Sequence, residues 1–198
     1  MTAVTERWPS LGNNVAYLLD SMPVMLASEK RRKRAKVASE VANCGYCGSK
    51  DVYYYGVNVH LLAIRRAEQL PRPEYLEVTA DSNHDLTVLE GLAPFLRQGS
   101  LYADKAYSDA LVLQILAAQE STIQTPIKKA KGQERLHWFE QLFSTAVSRV
   151  RQPVESFFNW VEEHTGIQCA SKVRSLKGLN VHVFGRLTVA MLLLNFNS

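Results

Sequence analysis

Residues 52–64, VYYYGVNVHLLAI, are rich in β-branched and aromatic side chains and apolar on both faces of an extended chain. Such a strand belongs at the centre of a sheet covered on both sides. The remaining sequence must therefore supply flanking strands and two layers of cover. Residues 15–26, VAYLLDSMPVML, form a second apolar run that carries Asp20, and 74–80, EYLEVTA, a third, set off by the breaker LPRP. DSNHD then provides capping residues for a helix over LTVLEGLAPFLRQ. SLYADKAY gives a fourth strand, SDALVLQILAAQE a helix and STIQTPI a fifth strand. From about residue 134 the pattern is helical, with a break at Pro153, a polar turn around Gly166 and a final helix over about 178–195.

Three consecutive strands form an antiparallel meander, whereas strands separated by helices add in parallel. The expected architecture is α/β: a five-stranded mixed sheet covered by helices, with C-terminal helices, the order found in ribonuclease H-like domains. A length of 198 residues suits one domain, read as 15–198 after a short leader, 1–14. The polar, basic stretch 28–51 is a long excursion within it, and such loops are usually functional or mobile. CGYC at 44–47 has the spacing of half a zinc site but no second half, and reads as a turn broken by Gly45 and Gly48. With Cys169 the cysteines number three, which leaves at least one unpaired and fits a reducing compartment. No apolar run approaches the roughly 20 residues of a spanning helix, and MTAVTERWPS lacks an apolar signal core. The expectation is a cytoplasmic protein with no membrane partner.

The net charge of +4 is modest but unevenly spread. Lys30, Arg31, Arg32, Lys33, Arg34 and Lys36 crowd together against the single acid Glu29, and Lys172, Arg174 and Lys177 form a second cluster. A solvated loop explains either run alone. Two runs on one domain point to a phosphate backbone, because lysine and arginine release condensed counterions when they bind it.

Three acids fall on the elements that matter in this architecture: Asp20 on the first strand, Asp104 at the end of the fourth and Glu155 on a late helix. At 100° per residue, Phe157, Phe158, Trp160 and Val161 share one side of that helix, and Arg151, Glu155, Asn159 and Glu162 the other. Each acid has a plain alternative. Asp20 before Ser21 and Pro23 suits an Asx turn, Asp104 a helix cap, and Glu155 the first turn of a helix begun at Pro153. Their joint occurrence favours a shared site, since carboxylates in apolar strands are costly unless paired with a cation. An all-oxygen set suits Mg2+, or Mn2+, and two such ions would serve phosphoryl transfer.

LLDSMPV, YYYGVNVHLL, DSNHDLTVL, LYADKAY and RVRQPVESFFNWVEE followed by SKVRSLKGL together resemble the catalytic domain of bacterial insertion-sequence transposases of the DDE class. The resemblance implies a metal-dependent DNA strand cleavage and strand transfer enzyme, acting on transposon ends and target DNA as a homo-oligomer in the nucleoid-associated bacterial cytoplasm. Asp20, Asp104 and Glu155 match its acidic triad, with 51 residues between the last two. Arg151 and Glu155 match its helix signature, but Ser148 stands for a tyrosine and Glu162 for a lysine. Arg34, Lys36, Lys105, Arg151, Lys172, Arg174 and Lys177 become candidate DNA contacts, and His60 and His84 candidate supports beside the metal ligands, the alternatives being a hydrogen-bonded core histidine for His60 and a place among the helix-capping residues Ser82, Asn83 and Asp85 for His84. These transposases usually carry a helical DNA-binding region ahead of the first aspartate, and MTAVTERWPSLGNNV is not expected to form one. The alternatives are a ribonuclease H-like nuclease without strand transfer, and a catalytically silent, DNA-binding or inhibitory fragment.

Overall fold

The computed structural model describes residues 2–4, 15–48, 50–80, 85–93, 96, 98–107 and 110–196. Its strands are β1 (Thr2–Val4), β2 (Val15–Ser28), β3 (Asn43–Cys47), β4 (Val52–Ile64), β5 (Arg72–Ala80), β6 (Gly99–Tyr102) and β7 (Thr122–Gln124). Its helices are α1 (Asp85–Leu92), α2 (Ala110–Ala117), α3 (Trp138–Thr165) and α4 (Leu176–Phe196), with short 3-10 turns at Glu29–Arg34 and Lys105–Tyr107.

The five expected strands form one mixed sheet. β4 lies inside it, antiparallel to β2 on one side and to β5 on the other, while β6 joins β2 in parallel and β7 joins β6 in parallel. This is the ribonuclease H-like α/β arrangement. Alternation along β2 and β4 sends side chains to two separate cores. Leu18, Met22, Val24, Val59 and Leu61 pack against Val154, Phe157 and Val161 of α3 and Leu179 and Val183 of α4. Leu19, Leu62 and Leu101 pack against Val88, Leu89 and Leu92 of α1 and Val112 and Leu116 of α2. The sheet is thus covered on both faces, as the apolar β4 requires.

Four readings of the sequence change. CGYC lies in a strand: β3 pairs antiparallel with the first half of β4, on the edge that β5 leaves open, with Cys44 opposite Tyr55. None of the three cysteines forms a disulfide. Residues 2–4, assigned to a leader, pair with β5 as an edge strand. Pro153 does not break the chain, because α3 runs unbroken from Trp138 to Thr165 and ends on Gly166 in the left-handed region, φ 61°. One lost N–H bond is outweighed by the buried Val154, Phe157 and Val161 around it. α4 is, by length and composition, apolar enough to cross a membrane, with a mean hydropathy of 1.4, and here its inner face fills the core.

The candidate carboxylate site

Asp20 and Asp104 meet through strand register. β2 and β6 run parallel from Val15 opposite Gly99 to Leu18 opposite Tyr102, so two residues further each strand presents its aspartate. Both have the parity of Leu18 and Tyr102, whose side chains pack toward α3. Asp104 lies just beyond β6. Its carboxylate accepts the Lys105 backbone N–H at 2.7 Å and its carbonyl the Tyr107 N–H at 3.0 Å, which fixes the turn that follows. The capping alternative therefore persists as a local role beside any other.

α3 brings the third acid. Because it passes through Pro153 as helix, Glu155 sits in mid-helix, and the first-turn alternative falls away. One turn earlier, Arg151 reaches across to the sheet: Nη1 lies 3.1 Å from Asp20 Oδ2, and Nη2 donates to Glu155 Oε1 at 2.6 Å. The guanidinium fork ties the strand acid to the helix acid, which is the geometry this planar group favours. Arg151 and Asp20 are only 15% and 17% exposed, whereas Glu155 is 49% exposed. Arg151 Nε is buried without a hydrogen-bond partner.

Burial pushes the Asp20 carboxyl up to about 6, against the pull of Arg151 and the Ser21 N–H, with Glu155 and Asp104 adding to the rise. All three carboxylates therefore share one electrostatic field. Among the described residues no three acidic, histidine or cysteine side chains converge closely enough to hold a metal ion. In this conformation the positive charge at the site is Arg151. In kind, the residues fit a hard divalent cation: the donors are all oxygen, and a desolvated carboxylate calls for positive charge beside it.

The other candidates are spread more widely. His60 is buried, with Nε2 2.9 Å from Thr79 Oγ1 and Nδ1 3.4 Å from the Tyr107 hydroxyl. It pairs with Ser21, not Asp20, so it projects to the opposite face of the sheet from the acids: it is the hydrogen-bonded core histidine of the two readings, not a support beside the acids. His84 lies outside the described residues. Lys105 is exposed on the turn after Asp104. Arg34 and Lys36 are exposed at the end of the 3-10 turn and just beyond it, and Lys172, Arg174 and Lys177 are exposed around the start of α4. Glu162, standing where the resembled family has a lysine, accepts the Gln168 N–H at 2.8 Å and so secures the turn after α3, while Ser148 is exposed.

Sequence reasoning missed the join between the basic segments. Met25 pairs with Cys169 as an isolated bridge; the Met25 N–H donates to Gln168 O at 2.7 Å and the Ala170 N–H to Met25 O at 2.9 Å. The α3–α4 connection is thereby held to the end of β2 from which the basic 3-10 turn departs. Lys50 also donates to Gln168 Oε1 at 2.5 Å. No local pattern in either segment signals this pairing.

A family model described as transposase DDE domain matches residues 12–175 of the chain. No curated protein and no solved structure matches it.

Proposed function

The chain belongs to the transposase DDE domain family, and on that premise we propose that it cleaves DNA strands at insertion-sequence ends and joins them to target DNA. DDE transposase domains generally use divalent metal ions, and here Asp20, Asp104 and Glu155 would hold Mg2+ or Mn2+. When bound, such ions stabilise the attacking and leaving oxygens of an in-line displacement at phosphorus. The protein's own part is orientation. Arg151 aligns Asp20 with Glu155, and the Lys105 backbone N–H aligns Asp104. Exposed lysines and arginines at 34, 36, 105, 172, 174 and 177 would hold the phosphate backbone. In cleavage, water adds to phosphorus and the 3′ oxygen departs with a proton; in joining, the freed 3′-hydroxyl takes the place of water. The active complex is proposed to be a homo-oligomer in the bacterial cytoplasm.

The observation that carries this reading is the Arg151 fork, which joins an acid of the first strand to one of the late helix while Asp104 stands just beyond the end of the adjoining strand. The test is nicking of an end-labelled duplex in Mg2+ or Mn2+. Asp104→Asn and Glu155→Gln are expected to abolish it with folding intact; wild-type cleavage by either would sink the assignment. Joining of the cut strand to a target duplex separates a transposase from a nuclease. A second reading, a silent DNA-binding fragment, draws on the same fork, because Arg151 occupies two of the carboxylates. Cleavage in no metal on any end sequence would favour it.

A further inference from the structure

A groove of about 730 Å³ runs between the last turn of α3 and the outer face of α4. Its walls carry His164, Lys172, Arg174, His182 and Arg186, and among the described residues no aspartate or glutamate lines it. Its floor includes Gly178 and Gly185, where a ligand meets no side chain, beside Val181 and Val189. A side chain added at Gly185 would have nothing within 4 Å, so that part of the groove is open.

Three of these side chains are placed by separate local contacts. Arg186 reaches back to the left-handed turn, its Nη1 3.4 Å from where a Cβ on Gly166 would stand. His164 stacks on Trp160, centroids 4.4 Å apart, and its Nδ1 lies 2.8 Å from the Trp160 carbonyl oxygen, which leaves Nε2 pointing away from the helix backbone. Arg174 folds onto the loop, donating to the Ser171 and Val173 carbonyls. Ser175 caps α4, its hydroxyl accepting the Gly178 N–H at 3.1 Å. With Lys172, Arg174 and Arg186 in its lining and no acid beside them among the described residues, the groove is suited to a polyanion.

We infer that this groove seats the phosphodiester backbone of a DNA strand, with Lys172, Arg186 and His164 as its anchors. The inference rests on DNA being the substrate and adds two residues, His164 and Arg186, that lie outside the basic runs of the sequence. Gly166 follows Glu155 by eleven residues of helix, roughly 16 Å. His164, nine residues after Glu155, faces the opposite side of α3, that of Trp160, so the groove holds a stretch of DNA apart from the phosphate at the carboxylates. The Met25–Cys169 pairing puts the basic 3-10 turn at the same end of β2, so a strand in the groove continues onto further positive charge.

The test is fluorescence anisotropy with a labelled 30-base-pair duplex and the full chain, titrated in salt without divalent ions. Each phosphate left without its neutralising cation lowers the slope of log K against log salt by about 0.9. Lys172→Gln with Arg186→Gln is expected to lower it by about 1.8 while circular dichroism is unchanged. Gly185→Glu is expected to weaken binding severalfold, and Gly91→Glu, at an equally open position on α1, to leave it as in the wild type. A wild-type slope in the double variant, or full affinity in Gly185→Glu, overturns the groove and leaves the carboxylate reading standing. No binding by the wild-type chain overturns both. If the double variant loses polyglutamate binding but keeps its DNA slope, the groove belongs to an acidic protein and the inference fails.

Discussion

Asp20 occupies a position that alternation assigns to the core, between Leu18 and Met22, and Arg151 compensates its charge only in part. Its carboxyl titrates at about 6 when folded and near the ordinary 3.8 when unfolded. Between those values the folded chain binds more protons, so this contribution favours folding below about 3.8 and is lost as pH rises through about 6. The displacement corresponds to about 3 kcal/mol. Urea unfolding without divalent ions should therefore find Asp20→Asn about 2 to 3 kcal/mol more stable than wild type at pH 7.5, the gap shrinking to about 1 kcal/mol at pH 4.5; a gap that does not change with pH would refute burial as the cause. The acid itself was legible because carboxylates stand out in apolar strands. His60 shows where that legibility ends. Its strand does neighbour that of Asp20, but register places it opposite Ser21, and a shift of one residue reverses the face.

At the level of elements, β4 and α4 were legible nearly to their ends because an apolar pattern with polar borders decides both. β3 was not, since a short CGYC strand forms only because β5 leaves half of the β4 edge unpaired, a tertiary cause. α3 misled for a related reason: proline is a local penalty, and the packing of Val154, Phe157 and Val161 is a long-range gain. Gly56 marks the closest approach of two elements. It sits on β4 opposite Met25, where the pairing with β2 slips between Met25 and Ala27, and a Cβ there would overlap the Val24 carbonyl. The obstacle is backbone, which cannot swing aside. Gly56→Ala is therefore expected to cost about 3 kcal/mol or more, read as a lower urea midpoint; a loss under about 0.5 kcal/mol, the scale of an ordinary surface substitution, would mean the two strands are not this close.

For the molecule as a whole, the central relation is between the carboxylates and the basic end. Arg151 and Glu155 belong to the same helix whose last turn leads into the basic connection, and Asp20 to the same strand that reaches Met25. Two rigid elements thus run from one region to the other, closed into a frame by Arg151–Asp20 at one end and by Met25 with Gln168 and Ala170 at the other. On the proposed function, a frame of this kind would fix the spacing at which DNA held at the basic end presents a phosphate to the acids, so that spacing need not be found anew on binding. If the frame is rigid in solution, the Ala170 amide, which lies outside any helix and outside the main sheet, should exchange with deuterium as slowly as the interior of β2. The exposed first turns of α3, bearing Trp138, Phe139 and Leu142, should exchange far faster. Exchange of Ala170 at loop rates would show the connection detaching from β2, and the affinity of the basic end would then vary independently of cleavage at the acids.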